Sequence, residues 1–311
     1  MAGVGKVRSL RAAVETITDG QHLTFSGFAH SLAPLAFVRE LIRQQKRDLE
    51  ITAMGEAWAV DLLAGAGALR RVRMSNFMFE GYGRCYNFAR SVERGQLEVE
   101  DYSHFGMASR FAAGALGIPY IPTRVMRGTD IESVSSFERQ KMQPAKCPFS
   151  GEQVNLVPAV HPDVAVIHAS RADAEGNVQL FGMTSVIDEQ AGAAQRIIVT
   201  VEELVDSRVI QRQPELTILP GFMVDSVVEV PYGAHPAGMY RYYDYDPKHV
   251  EYYWERSRTA EGFQEYLEAY VLGVADHWDY LGKIGLARLM ELRADPALGY
   301  SLKDRGASIG G

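Results

Sequence analysis

Leu23-Thr24-Phe25-Ser26-Gly27, with Pro34 and the apolar positions Leu35, Val38, Leu41 and Ile42 just after it, decides how this chain is read. Residues 23–26 form a short apolar run that Gly27 stops. The apolar spacing after Pro34 is helical, and proline suits a first helical turn because its missing N–H has no partner there anyway. The alternation continues outward in both directions. Ser9 can cap a helix over 10–17, which Asp19-Gly20 ends. Downstream, 49–53 reads as a strand, 60–69 as a helix, 72–77 as a strand and 87–94 as a helix ended by Gly95. Then come a strand at 97–99, a helix over 107–116 closed by Gly117, and a strand from 118 to 121. Strands alternating with helices through short links imply an α/β fold, a mostly parallel sheet covered by helices on both faces.

Residues 123–157 are rich in Ser, Pro, Lys and Gln and read as a long excursion over the surface, a lid or a partner-contact loop. Regular pattern returns at 164–168, turns at Asp173-Ala174-Glu175-Gly176-Asn177 and resumes at 178–181. Residues 197–201 are a β-branched strand and 223–230 the last clear one. From Pro247 the character becomes helical, over 250–257, 259–272, 275–281 and 283–292, with Tyr252, Tyr253, Trp254, Phe263, Tyr266, Tyr270, Trp278 and Tyr280 along it. An aromatic stripe at helical spacing is core or interface sooner than a cofactor site. The expected organisation is an α/β domain over 1–246 and a helical, aromatic-rich extension over 247–311 that packs on the core or on a partner. Residues 303–311 are expected to fray.

The 311 residues carry a net charge of −7, with 47% apolar and 23% charged residues. That balance argues against nucleic acid as the main partner, since phosphate contacts need a clustered basic surface. Cys85 and Cys147 are too few for a disulfide framework and read as free thiols in a reducing cytosol. Lys6 and Arg8 are not followed by an apolar signal segment, and no apolar run approaches the roughly 20 residues that span a bilayer. The expected location is cytoplasmic, with no membrane. Gly65-Ala66-Gly67 lacks dinucleotide-binding spacing, and there is no Walker A loop, no H-E-x-x-H and no G-x-S-x-G elbow. The eight histidines show no metal spacing.

Chemistry in α/β proteins gathers beyond the carboxyl ends of strands. At Ser26-Gly27-Phe28 a glycine lets backbone approach a ligand and frees N–H groups for an oxyanion; the plainer reading is a tight strand-to-helix turn. Met54-Gly55-Glu56-Ala57-Trp58 puts a carboxylate after the second strand, either a nucleophile kept from water or an acid favouring a helix N-terminus. Ser75 and Asn76, with Phe77, close the third strand and can line a pocket. After the last strand, Pro231-Tyr232-Gly233-Ala234-His235-Pro236 holds His235, which could donate to a carboxylate or thioester carbonyl or serve as a structural residue. Gly233 and Pro236 fix the backbone around it. Met239-Tyr240-Arg241-Tyr242-Tyr243-Asp244-Tyr245-Asp246 follows, its tyrosines read as interface first. Arg84, Arg124, Arg127 and Arg241 stand in loop-like sequence where a cation could hold an anionic substrate end.

The 231–246 segment, Ser26-Gly27-Phe28 and Glu100-Asp101-Tyr102-Ser103 together resemble the A chain of the glutaconate CoA-transferase type, in family I of the CoA-transferases, over about residues 7–300. The resemblance implies the CoA-transferase/sugar-phosphate-isomerase-like fold and transfer of CoA between an acyl-CoA thioester and a carboxylic acid, dicarboxylic acids included. It implies a homologous B subunit carrying the nucleophilic glutamate, an α₂β₂ assembly, CoA thioester as substrate, and neither metal nor bound cofactor. It implies that Gly27 and Phe28 help bind the acyl carbonyl; the family's first glycine in that loop is Ser26 here. Glu56 then occupies a place that only resembles the nucleophile's. The rival implied by the same scaffold is an acyl-CoA hydrolase or a ring-cleaving carbon–carbon lyase. The lyase branch uses a glutamate after the Glu-Asp-Tyr-Ser region, where this chain has His104-Phe105-Gly106. A non-catalytic binding module is the third possibility.

Overall fold

A computed structural model describes residues 5–134, 137 and 141–302. The strands are β1 (His22–Phe25), β2 (Leu49–Thr52), β3 (Leu69–Met74), β4 (Glu98–Asp101), β5 (Tyr120–Thr123), β6 (Gln143–Lys146), β7 (Gln153–Pro158), β8 (Val164–Asp173), β9 (Val178–Gln179), β10 (Arg196–Val205), β11 (Thr217–Leu219) and β12 (Ser226–Glu229). The helices are α1 (Leu10–Glu15), α2 (Leu35–Arg43), α3 (Trp58–Gly65), α4 (Tyr86–Glu93), α5 (His104–Leu116), α6 (Ile187–Ala193), α7 (Ser207–Gln211), α8 (Pro247–Ser257), α9 (Ala260–Leu267), α10 (His277–Ile284) and α11 (Leu286–Leu292).

The main sheet runs β4-β3-β2-β1-β8-β10-β12, all parallel, and β9 and β11 join antiparallel beyond the end of β8. From β1 the chain steps outward through β2, β3 and β4; from β8 it steps outward the other way through β10 and β12. The strand order therefore reverses between β1 and β8, where Leu23 pairs with Val164 and Phe25 with Val166. Crevices at such a reversal are where open α/β sheets bind ligands. Leu23, Phe25, Val164 and Val166 are fully buried, as parallel strands covered on both sides must be.

Helices α1, α2, α3 and α4 pack side by side, and α5 pairs with α6 through small residues. A Cβ on Gly114 would stand 2.3 Å from the Val160 carbonyl oxygen and 2.9 Å from the Ala193 Cβ, so only glycine allows this approach. Val250, Tyr253, Phe263, Tyr266, Val271 and Leu292 of the helical tail belong to the same buried core as β1 and β8.

Several boundaries differ from the sequence expectation. The 60–69 helix stops at Gly65; Gly67 takes a left-handed turn (φ 67°) and Leu69 opens β3. The strand expected from 223 begins at Ser226, because 221–223 form a 3₁₀ turn. Helices α6 and α7 and strand β11 were not anticipated. Residues 123–157 are not a featureless excursion: β5, β7 and β6 form a second, antiparallel sheet. It closes over its own cluster, which includes Tyr102, Met107, Phe111, Met126, Met142 and Val157. Only one face of β7 is buried, so apolar residues are sparse and its strand signal is weak. Residues 303–311, expected to fray, lie outside the described residues.

Gly114→Ala is expected to destabilise the fold. Overpacking against a backbone carbonyl costs about 2–3 kcal/mol, more than the roughly 0.5–1 kcal/mol a helix gains from alanine. A lowered urea midpoint checks this; an unchanged one shows that α5 shifts freely.

Candidate functional site

The carboxyl end of β1 is tied down by Ser26. Its hydroxyl donates to the Leu32 carbonyl at 2.8 Å and accepts from the His168 N–H at 2.8 Å, so the side chain is wholly used in holding the loop against β8. Gly27 follows with φ 128°, and a Cβ there would stand 2.7 Å from Glu56 Cγ. Both the backbone angle and the contact require glycine. The Gly27 N–H has no acceptor among the described residues, whereas the Phe28 N–H donates to the Ser31 carbonyl at 3.1 Å.

Glu56 is fully buried at the start of α3, with its two carboxyl oxygens 3.0 and 3.1 Å from the Ala59 N–H. Burial pushes its carboxyl up to about 8, against the opposing pull of the backbone donors of Ala59, Trp58 and Val60. Gly55 (φ 72°) lies beneath the Phe28 ring, whose carbons stand 2.7 Å from where its Cβ would be. On the other side of Gly55 is His104, its Cε1 at 3.4 Å from the same point. Phe28 and His104 sit with ring centroids 5.8 Å apart. His104 is exposed and its Nδ1 lies 2.8 Å from Ser75 Oγ. Asn76, half-buried, has no hydrogen-bond partner among the described residues. Ends of β1, β2 and β3 and the start of α5 thus bring Gly27, Phe28, Gly55, Glu56, Ser75 and His104 together.

The Glu-Asp-Tyr-Ser run builds the entry to α5. Ser103 caps it by accepting from the Gly106 N–H at 3.1 Å, Tyr102 donates to Glu100 at 2.6 Å, and Lys141 reaches Asp101 at 3.3 Å.

Gly233 and His235 lie elsewhere. Gly233 donates its N–H to Glu202 at 3.2 Å and packs on His168. His235 is fully buried, with Nδ1 2.7 Å from Tyr280 Oη and Nε2 3.3 Å from Asp246. Burial pushes its imidazole below the ordinary range. The loop that holds both rests on Glu202, which accepts from the Tyr232 N–H at 2.7 Å and from Tyr243 at 2.6 Å and contacts His168 Nε2 at 2.8 Å. Sequence reasoning missed Glu202; the available signal was a carboxylate directly after the β-branched run 197–201.

The four loop arginines are engaged away from this cluster. Arg84 pairs with Glu93, Arg124 with Glu152 at 2.7 Å, Arg127 reaches the Gln153 carbonyl at 2.8 Å, and Arg241 lies over Phe181 at 4.7 Å. Tyr243 is buried, Tyr242 stacks on Phe181 and Tyr240 is 44% exposed. Both cysteines are free thiols, Cys85 buried and Cys147 half-buried. Among the described residues no group of His, Cys, Asp and Glu could hold a metal.

The raised Glu56 carboxyl gives a pH signature. The folded chain holds this proton more tightly than the unfolded chain, so folding loses stability as pH rises from the ordinary carboxyl range, 4.5, through about 8. Glu56→Gln is expected to flatten that loss: denaturation midpoints of wild type and variant should differ between pH 5 and pH 9 in the direction that favours the variant at high pH. Parallel pH curves would contradict the burial of an ionisable carboxyl here.

Comparison with known proteins agrees with this layout. Residues 7–230 match the family model described as Coenzyme A transferase. An uncharacterized protein of Archaeoglobus fulgidus is 37% identical over 94% of this chain, which spans 66% of that protein's length. The A chain of 3-oxoadipate CoA-transferase from Pseudomonas knackmussii is 36% identical over 90% of this chain and 99% of its own. The A chain of glutaconate CoA-transferase from Acidaminococcus fermentans is 34% identical over 96% of this chain and 98% of its own. The crystal structure of the Acidaminococcus fermentans enzyme superposes with a TM-score of 0.90 over 96% of this chain and 98% of that one, at 33% identity. With the reversal of strand order between β1 and β8 and the helical aromatic tail in place, the chain belongs to the coenzyme A transferase family, as a subunit of the A type.

Proposed function

We propose that this chain is one half of a two-chain CoA-transferase, paired with a homologous B subunit in an α₂β₂ assembly in the cytosol. It moves CoA between an acyl-CoA and a carboxylic acid, and CoA thioester is its substrate rather than a bound cofactor. One observation carries the reading: the backbone donor at Gly27 is unpaired among the described residues, while the carboxyl beside it, Glu56, is buried and committed to capping α3. The site is supplied with a donor for an oxyanion and lacks an available nucleophile, which the partner's glutamate would provide.

The chemistry is ping-pong acyl transfer. The glutamate carboxylate attacks the thioester carbonyl and CoA leaves as thiolate, giving a mixed anhydride. The thiolate attacks the glutamyl carbonyl, expels the first acid as carboxylate and forms an enzyme thioester. The second acid's carboxylate then reverses both steps. Each addition places negative charge on a carbonyl oxygen, and we assign the Gly27 N–H to that oxygen, with Phe28 shielding it from water. Ser75 and Asn76 line the same edge. Ser26, Gly233 and His235 support it from behind. The relatives named for 3-oxoadipate and glutaconate act on acids with two carboxylates, so we propose a dicarboxylic acid here. Residues 123–157 are assigned to partner contact, residues 1–246 to the transferase domain and 247–311 to a helical extension packed on it. Among the described residues no helix is long and apolar enough to cross a membrane.

Native mass spectrometry of the protein from its own source should show a stoichiometric second chain of similar size, and acyl exchange should require both. Exchange by the single chain, lost on Glu56→Gln, would overturn this reading, and CoA release without an acid acceptor would favour the hydrolase. In the two-chain enzyme, Gly27→Ala keeps the N–H, but its Cβ would stand 2.7 Å from Glu56 Cγ at a backbone angle that favours glycine, so the loop must shift and carry the donor off the oxyanion; kcat should fall by up to about 10²–10³, the cost of one lost oxyanion donor, with a small change in KM. A KM effect alone would place Gly27 in ground-state binding instead.

A further inference from the structure

His104 is the one side chain of the cluster with a free ring nitrogen. Its Nδ1 is engaged by Ser75 at 2.8 Å, while its Nε2 has no partner among the described residues and the residue is exposed. Several polar groups around it are already committed, while Asn76, next to Ser75, has no hydrogen-bond partner among the described residues. Ser26 bridges Leu32 and His168 at 2.8 Å each, and Glu56 caps α3. His30 accepts from the Trp58 indole at 3.1 Å and contacts the Glu80 carbonyl at 2.8 Å. Asp101 takes Lys141. The Ser75 hydroxyl can take the donor role toward Nδ1, and in that tautomer the ring N–H is on Nε2 and points outward as a donor. Ser75 comes from the end of β3 and His104 from the start of α5, so two independent elements fix the ring. Phe28, next in the chain to Gly27, has its ring 5.8 Å from the His104 ring, and both rings lie against Gly55, so apolar surface adjoins the histidine on the side of the Gly27 loop.

We propose that His104, positioned by Ser75, recognises the far carboxylate of a short dicarboxylic acid, the one not joined to CoA, and so sets the preference for dicarboxylates over monocarboxylates of equal length. This rests on the transferase reading for the placement of the near end at Gly27. His104 binds substrate; Ser75 acts through it, holding the tautomer and the ring orientation.

The test uses the protein as purified from its source, with the partner it carries. Calorimetry compares pentanedioate with pentanoate, and kinetics compare the same two acids as CoA acceptors. The wild type should bind the diacid about 10- to 100-fold more tightly, as one charge-assisted hydrogen bond implies. His104→Leu should bring the two acids within about 2-fold, with the loss in KM and kcat within about 3-fold. His104→Gln, which keeps a donor near Nε2, should retain part of the preference, and Ser75→Ala should weaken it less than His104→Leu. Because His104 is exposed at a helix start, unfolding does not confound these variants. Equal binding of the two acids by wild type, binding of neither, or an unchanged preference in His104→Leu overturns the proposal. A His104-dependent diacid preference in a protein that shows no acyl exchange leaves this inference standing and removes the transferase reading.

Discussion

The Ser26 hydroxyl is the constraint on which the rest of this edge depends. At the one place where strand order reverses, it bonds the Leu32 carbonyl in front and the His168 N–H behind, both at 2.8 Å and fully buried. Two backbone groups that would otherwise be orphaned inside the protein are satisfied by a single side chain, and leaving either unmade costs about 1–3 kcal/mol. The clamp fixes where the chain leaves β1. It makes Gly27 turn with φ 128° directly over Glu56, a path closed to any residue with a Cβ. A glycine at position 26 would give more backbone freedom and no clamp; here a hydroxyl bond holds the loop.

Behind the clamp stand two buried polar networks with different anchors. Glu202 collects Tyr232, Gly233, Tyr243 and His168, so the loop after β12 is held from beneath. His235 collects Tyr280 and Asp246, and Arg39 donates to its carbonyl at 2.9 Å while lying 3.7 Å from the Tyr280 ring centroid. Asp246 also caps α8 and pairs with Arg288 at 2.8 Å; against burial, which raises its carboxyl, the bonds to His235 and Arg288 hold it below the usual range. Although the buried Nε and Nη2 of Arg39 have no hydrogen-bond partner among the described residues, most of these groups are partnered, as a low-dielectric interior demands. They weld the aromatic tail to the sheet, which is why the tail shares the main core.

Much of this was legible in the sequence because local signals agreed with the global fold. The glycine after a short apolar strand, the proline before a helical stripe and the glycine after 107–116 all mark real element ends, and Gly117 takes the left-handed conformation (φ 68°) such an end requires. Strand β7 escaped because one buried face, prolines and polar residues imitate a loop. His235 invited a substrate role because Gly-Ala-His-Pro after a strand looks like a binding loop. Its partner Tyr280 is 45 residues further on, and no local pattern reports where a helical tail folds back. His104 was noticed only as a missing carboxylate. Its pairing with Ser75 spans 29 residues and two elements, and only the register of β3 against β4 brings them together.

The contrast between the two ionisable groups nearest the Gly27–Phe28 loop argues for a division of labour between chains. Glu56 could have been a nucleophile: it follows a strand in the expected place and touches Gly27. Burial instead favours its neutral form, and its oxygens are directed at the α3 backbone rather than outward. A neutral carboxyl that caps a helix attacks nothing. His104, at the same edge, is exposed with a nitrogen to spare. This face therefore presents hydrogen-bond donors and a shaped apolar floor, the parts that bind and polarise an acyl group. The carboxylate that covalent transfer requires has to arrive from outside these side chains. On the proposed reading, a face built in this way is the receiving half of a shared site, with specificity set by donors on this chain and the nucleophile held on the other.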